Sequence, residues 1–87
     1  MAEQKKVAVG TIAHYYPKIG VAVVELKKGL DIGDEILIEG PSSSVMQTVE
    51  SMQIEHKQIQ AAKAKQSIGL KVNDKVHEGD TVYKLSS

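Results

Sequence analysis

The sequence contains no cysteine, no arginine, no phenylalanine and no tryptophan, and these absences exclude several kinds of structure and function. Without cysteine the chain has no disulfide and no thiolate metal site. Without arginine it lacks the bidentate contacts that proteins favour for phosphate and guanine. Tyrosine is the only aromatic residue, so we expect a core built from Val, Ile, Leu, Met and Ala.

The charges that are present cancel. All 11 basic residues are lysines, and 11 acidic residues balance them to a formal net charge of zero. A protein that binds nucleic acid through its phosphates usually carries a basic surplus. The composition therefore favours a binding module with a protein partner, and RNA is kept as the alternative partner.

A length of 87 residues predicts one domain over 1–87, and 41% hydrophobic residues are typical of a globular chain. The opening segment "MAEQKKVAVG" has no apolar run of signal-peptide length, and no segment of the sequence is long and apolar enough to span a bilayer. We therefore expect a cytoplasmic protein without membrane contact.

Apolar and polar residues alternate with a period of two, which predicts β-strands. The predicted strands are 6–16, 18–26, 34–39, 45–56, 66–72 and 80–85. Pro17-Lys18 predicts a hairpin between the first two, and a slip of the alternation predicts a β-bulge near Glu50-Ser51. The segment 59–65 is predicted to be a single turn between strands. Six short strands predict an all-β fold, a small closed β-barrel without exposed edges.

One pattern occurs twice, as "LDIGDEI" (30–36) and as "VHEGDTV" (76–82). Gly33 and Gly79 each precede a predicted strand, where a tight turn favours positive φ. Asp34 and Asp80 follow them and are suited to accept backbone hydrogen bonds within the turn. We interpret the repeat as two equivalent strand beginnings rather than as a catalytic pair of aspartates.

Four segments, "LDIGDEILIEG", "SMQIEHK", "AKAKQSIGLKV" and "VHEGDTVYKL", occur in an order and spacing that resemble the second domain of elongation factor Tu. The resemblance extends over 7–85. It is closer still to small stand-alone elongation-factor-like proteins and to the C-terminal barrel of collagenase-like peptidases, in which "VESMQIEHK" and "QSIGLKV" have near-identical counterparts. It implies a six-stranded closed barrel of the translation-factor type that binds or positions a partner.

The sequence also departs from the elongation factor pattern. It has neither a G-x-x-x-x-G-K-[ST] loop nor an N-K-x-D motif, so we expect no GTP binding by that machinery and no cofactor. At the positions that hold the aminoacyl end of tRNA in elongation factor Tu, Gln53 replaces a glutamate and His56 replaces an arginine, whereas Lys57 matches. Lys65 stands where the family tends to have glycine.

Catalytic and metal-binding patterns are weak. His14, His56 and His77 do not stand at the i, i+2 or i, i+4 spacing that a zinc site favours. The serines at 42–44 lack the G-x-S-x-G context of a nucleophile. We therefore expect no metal site, no catalytic residue and no enzyme activity of the domain alone.

The predicted partner-binding surface is a rim of Gln53, His56 and Lys57, with Lys63 and Lys65 beside it. The adjacent pair Tyr15-Tyr16 is added, because neighbouring residues on a strand point to opposite faces and one tyrosine should be exposed. The expected function is a non-catalytic module that binds or positions a partner protein. The alternatives are tRNA binding in translation and an accessory, substrate-positioning barrel for a collagenase-like peptidase.

Overall fold

The computed structural model describes residues 5–41 and 44–86, and every regular element within these ranges is a β-strand, which confirms the all-β prediction. The strands are β1 (Lys5–Tyr16), β2 (Val21–Leu26), β3 (Leu30–Asp31), β4 (Glu35–Glu39), β5 (Ser44–Thr48), β6 (Met52–Ile54), β7 (Lys57–Ile59), β8 (Ala61–Ala62), β9 (Ser67–Lys71) and β10 (Thr81–Ser86). No helix in these ranges has the length and hydropathy to cross a membrane.

The predicted hairpin between the first two strands is confirmed, but its turn is longer than expected. Gly20 donates its backbone N–H to the carbonyl of Tyr16 at 3.0 Å, and its φ is 66°. This left-handed glycine ends the turn, so β2 begins at Val21 instead of residue 18.

The predicted fourth strand, 45–56, is wrong as a single element. The chain leaves the regular ladder at 49–51, where a bulge was predicted, and its two halves pair with different strands. β5 pairs with β4, whereas β6 pairs with β9 and β7. The predicted strand also ends too late, because Glu55 and His56 form the turn between β6 and β7.

The segment 59–65, predicted to be one turn, contains more structure. It begins at the end of β7, and Ala61 and Ala62 form β8, which pairs with β3. A turn follows in which Gln66 donates its N–H to the carbonyl of Lys63 at 3.3 Å.

The prediction of a closed barrel is not confirmed. The main sheet has eight strands in the order β5-β4-β10-β1-β2-β9-β6-β7, and β3 with β8 forms a separate pair. Within the described ranges no ladder joins β5 to β7 or to β6. The reason is the break at 49–51, which moves the chain from one end of the sheet to the other without continuous pairing. The assignment to the elongation factor Tu type of barrel stays a resemblance of sequence.

A side chain bridges the gap that the ladder leaves. Gln47 of β5 is 7% exposed and points inward. Its Nε2 donates to the carbonyl of Lys71 at 2.8 Å, and its Oε1 accepts from the N–H of Asn73 at 2.8 Å. The amide thus links β5 to the end of β9 and to the residues that follow it, where no backbone ladder of the described ranges joins them.

The core consists of aliphatic side chains and methionine, as the composition predicted. Its buried members are Val9, Ile12, Ala22, Val24, Leu26, Leu30, Ile36, Ile38, Val45, Val49, Met52, Ala62, Ile68, Leu70, Val72, Val76 and Val82. They come from strands at both ends of the main sheet and from the β3–β8 pair.

The repeated pattern forms two equivalent turns, as predicted. Gly33 and Gly79 have φ values of 94° and 90°. Asp34 Oδ2 accepts the N–H of Asp31 at 2.9 Å, and Asp80 Oδ2 accepts the N–H of His77 at 3.0 Å. The repeat is therefore architectural.

Candidate binding site

An open pocket lies on the outer face of the sheet, at the end of the β1–β2 hairpin. Its volume is about 340 Å³. Tyr16, Ile19 and Val21 line one side, Gln53, Glu55 and His56 line the other, and Gly69 lies between them. We call it the Tyr16 pocket.

The floor of the Tyr16 pocket exists because Gly69 has no side chain. In the ladder Gly69 lies between Val23 of β2 and Gln53 of β6. A Cβ at Gly69 would lie 3.4 Å from Val21 Cγ1, which is ordinary van der Waals contact. Because its φ is not in the left-handed region, the backbone at Gly69 does not require glycine. Any larger side chain there would fill the pocket.

Two exposed apolar side chains form the outer wall. Ile19 is 68% exposed and Tyr16 is 46% exposed, and both line the same pocket, so they form an exposed apolar patch. The ring of Tyr16 contacts the ring of His14 edge to face, with 4.4 Å between centroids. His14 Nδ1 in turn donates to Glu78 Oε2 at 3.1 Å. A series of contacts thus joins Glu78, next to the turn at Gly79, to the pocket wall through His14.

The opposite wall contains a strained hairpin turn. Glu55 and His56 connect β6 to β7 as a two-residue loop, and their φ values are 51° and 66°. Positive φ at both central residues defines the type I′ turn, in which Asn-Gly is the favoured sequence. A residue with a Cβ costs of order 1 kcal/mol or more at such a position.

The structure brings three of the predicted partner-binding residues together, namely Tyr16, Gln53 and His56. Lys57 is not among the lining residues. It pairs with Ile54, whereas Gln53 pairs with Gln58, so Lys57 and Gln53 lie on opposite sides of the β6–β7 ribbon. The predicted rim therefore does not include Lys57 on this face.

The prediction that one of the two tyrosines packs and the other is exposed is confirmed. Tyr15 pairs with the buried Ala22 and packs against the core. Tyr16 pairs with Val21 and lines the pocket.

Lys65 lines a second pocket on the same sheet. This pocket, which we call the Lys65 pocket, has a volume of about 330 Å³ and a polar lining. It includes Thr11, Glu25, Lys27, Lys65, Gln66 and Ser67. Lys63 lines neither pocket, so Gln53, His56 and lysines 57, 63 and 65 of the predicted rim do not line one common pocket.

Sequence reasoning missed Ile19, Val21, Glu55 and Gly69 as pocket residues. A signal was present for Gly69, because a glycine inside a strand often marks a close approach or an open space. No comparable signal marks the turn 55–56, since Glu-His is not a turn sequence.

The histidines have separate surroundings. His14 pairs with Glu78, His56 lines the Tyr16 pocket, and His77 Nδ1 lies 4.0 Å from Asp80 Oδ2. In 5–41 and 44–86 no group of three or more His, Asp or Glu side chains is arranged to hold a metal ion.

Taken together, the fold is a small all-β domain with two neighbouring pockets on one outer face. No protein-family model matches the sequence. The chain is 42% identical over 85 residues to an uncharacterized protease of Methanocaldococcus jannaschii, a match that covers 97% of the chain. It is 38% identical over 86 residues to a collagenase of Porphyromonas gingivalis, with the same coverage of the chain.

These matches concern only part of each relative. The chain spans 21% of the length of both proteins, about a fifth. A solved structure corresponds to the domain by itself. It is the C-terminal domain of a Geobacillus thermoleovorans protein assigned as a U32 peptidase, with a TM-score of 0.83, 25% identity and coverage of 88% of this chain and 90% of that one. The homologues of this chain are therefore parts of collagenase-like peptidases.

Proposed function

We propose that the domain is a non-catalytic accessory module that acts with a collagenase-like peptidase and holds a polypeptide through the Tyr16 pocket. The observation that carries this proposal is the pattern of coverage. Nearly the whole chain, 97%, aligns with about a fifth of proteins that are named protease and collagenase. A segment of that size suits an accessory domain, and the remaining four-fifths are available for the catalytic machinery.

The chemistry of the pocket supports a polypeptide as the bound molecule. Exposed apolar side chains with few polar groups around them are typical of sites that take a side chain from a partner. Tyr16 and Ile19 provide the apolar surface, and the side-chain amide of Gln53 offers a donor and an acceptor to a peptide backbone.

The decisive experiment is a replacement in the Porphyromonas gingivalis collagenase. Three proteins are compared: the intact collagenase, a variant without the segment of 86 aligned residues, and a variant in which this chain replaces that segment. We expect the deletion to slow collagen cleavage while hydrolysis of a short peptide is retained, and the replacement to restore collagen cleavage.

Three results would contradict the proposal. The first is a folded replacement protein that cleaves collagen no faster than the deletion variant. The second is a deletion that abolishes hydrolysis of the short peptide, because the segment would then belong to the catalytic machinery. The third is peptide hydrolysis by the isolated 87-residue chain.

A further inference from the structure

Backbone strain in this domain coincides with the two pockets. In the part of the chain that the structure describes, three residues other than glycine have positive φ: Glu55, His56 and Lys65. Glu55 and His56 line the Tyr16 pocket, and Lys65 lines the Lys65 pocket. Strained residues persist where the surrounding structure enforces them, and they are concentrated at functional sites.

The two pockets lie along the same strands. On β2, Val21 lines the Tyr16 pocket and Glu25 lines the Lys65 pocket. On β9, Gly69 lines the Tyr16 pocket and Ser67 lines the Lys65 pocket. At about 3.3 Å per residue, the pockets are separated by roughly 7 to 13 Å along the strands. An extended peptide covers that distance in two to four residues.

The pockets differ in the chemistry that they offer. The Tyr16 pocket presents the apolar side chains of Tyr16, Ile19 and Val21 beside three polar residues, and it includes no lysine of the described ranges. The Lys65 pocket presents two ammonium groups, from Lys27 and Lys65, together with the hydroxyls of Thr11 and Ser67. Glu25 offsets one of these charges, so the lining of the Lys65 pocket carries a net charge of one positive unit and suits a carboxylate.

From these observations we infer that the two pockets are subsites for one extended peptide segment. The Tyr16 pocket takes an apolar side chain, and the Lys65 pocket takes a carboxylate two or four residues away. This spacing follows from the period of an extended chain, in which residues i, i+2 and i+4 share a face. The inference rests on the proposed function, in which the domain binds a polypeptide.

The peptide is favoured over RNA by the charge at the Tyr16 pocket. Among the described residues, the lining of the Tyr16 pocket carries one carboxylate, from Glu55, and no lysine, so its charge is unfavourable for a phosphate. An uncharged peptide backbone is not repelled by the Glu55 carboxylate.

The inference also explains the strained residues. Asn-Gly at 55–56 and glycine at 65 would relieve the backbone, yet the chain has larger residues at these positions, and all three line a pocket. The domain is therefore less stable than one with Asn-Gly at 55–56 and glycine at 65, and the three strained positions are those where a side chain would contact the peptide.

The first measurement is a titration of the 15N-labelled chain with an acetylated and amidated decapeptide of glycine and serine that carries one leucine and, four residues away, one glutamate. We expect amide shifts at Val21, Gln53 and Gly69 around one pocket and at Glu25, Lys65 and Ser67 around the other. A peptide with the two residues three positions apart should bind at least threefold more weakly, and so should one with lysine in place of the glutamate.

The second measurement uses variants. Lys65→Gln should weaken binding of the leucine–glutamate peptide at least threefold, whereas Lys63→Gln, which makes the same change of charge outside the pocket, should leave it unchanged. The double variant Glu55→Asn/His56→Gly should unfold at a higher denaturant concentration than the wild type and bind the peptide at least threefold more weakly.

Three outcomes would overturn the inference: no shift in either pocket, equal binding of the peptides with spacings of three and four, or wild-type affinity in the double variant. A tRNA that shifts the same amides at physiological salt, in the absence of any peptide effect, would also overturn it. The collagenase replacement can succeed in all of these cases, so failure here is distinguishable from failure of the proposed accessory role.

Discussion

The side chain of Gln47 joins two strands that the backbone ladder leaves apart, because its Nε2 donates to the carbonyl of Lys71 at 2.8 Å. The same amide accepts a hydrogen bond from the N–H of Asn73. We predict that Gln47→Leu destabilises the domain by about 2 kcal/mol, because two hydrogen bonds are lost in a largely buried place. Urea unfolding of the wild type and the variant measures this difference in free energy.

Gln58→Leu is the matched control, since Gln58 is an exposed strand glutamine with one hydrogen bond, to Ser51 Oγ at 3.3 Å. It should change the free energy of unfolding by less than about 0.5 kcal/mol. An equal loss of unfolding free energy in the two variants would mean that the buried hydrogen bonds of Gln47 do not stabilise the contact between β5 and the end of β9.

A second prediction concerns Gly40 and Asp80. Asp80 is 2% exposed, and a Cβ at Gly40 would lie 2.6 Å from its Cγ, well inside van der Waals contact. Gly40→Ala should therefore destabilise the domain by roughly 1–3 kcal/mol, the usual cost of overpacking. Gly69→Ala is the control, because its Cβ would have only ordinary contacts. If Gly40→Ala unfolds at the same temperature as the wild type, the Asp80 carboxylate does not lie as close to Gly40 as the structure shows.

A third prediction is the pH dependence of one ion pair. Lys6 Nζ lies 3.0 Å from Glu39 Oε1 and 4.6 Å from the centre of the Tyr83 ring. The hydrogen bond and the charge of Glu39 raise the pKa of Lys6 above its ordinary value. A raised folded-state pKa stabilises the fold below the unfolded-state value of about 10.4, and this stabilisation is lost as the pH rises through the folded-state value.

Glu39→Gln should therefore lower the pKa of Lys6, followed by NMR of its side-chain Cε. The difference in unfolding free energy between wild type and variant should shrink above about pH 10. Glu50→Gln, at an exposed position, should leave the pKa of Lys6 unchanged. An unchanged pKa in Glu39→Gln would show that the pair does not form in solution.

A fourth prediction tests the Tyr16 pocket through its floor. Gly69→Val would fill the pocket without backbone strain, and valine suits an outward strand position. In the collagenase that carries this chain, it should slow collagen cleavage and leave hydrolysis of a short peptide unchanged. Thr48→Val, on the exposed face of β5 and outside both pockets, is the control. Equal rates for the two variants would remove the pocket from the proposed function.

Much of the fold was predictable because it depends on local pattern. Alternation places the side chains of a strand on two faces, so the strands at 35–39, 67–71 and 81–86 were predicted to within one residue at each end. The turns at Gly33 and Gly79 were predictable because glycine and aspartate have specific roles in tight turns.

The pairing of the strands was not predictable from local pattern. The segment 45–56 alternates almost throughout, yet its halves belong to opposite ends of the sheet, and only the partners of each half decide this. The buried Gln47 was missed for the same reason, since its hydrogen bonds are with residues more than 20 positions away.

The candidate site was predicted in part. The resemblance indicated Gln53 and His56, and the rule of opposite faces indicated that one of Tyr15 and Tyr16 is exposed. The predicted lysines do not line the Tyr16 pocket, because sequence proximity does not give the face of a strand: Lys57 lies on the other side of its ribbon from Gln53. Ile19 was not recognised because it belongs to a turn, where no periodicity applies.

The last prediction compares the two equivalent turns. Gly33 and Gly79 have nearly equal φ values, 94° and 90°, and a Cβ at either would meet no atom within 4 Å. Gly33→Ala and Gly79→Ala should therefore destabilise the domain equally, by about 1–2 kcal/mol each, since only the backbone conformation is strained.

The aspartates that follow should not be equivalent. Asp80 is 2% exposed, whereas the Asp34 side chain is 20% exposed and has Lys84 Nζ at 3.3 Å. Asp80→Ala should be the more destabilising substitution, because it leaves the N–H of His77 without its acceptor in a more buried place. Urea unfolding of the four variants checks both statements. Unequal glycine variants would mean that the repeated sequence forms two different turns, and equal aspartate variants would mean that burial of the Asp80 carboxylate contributes nothing.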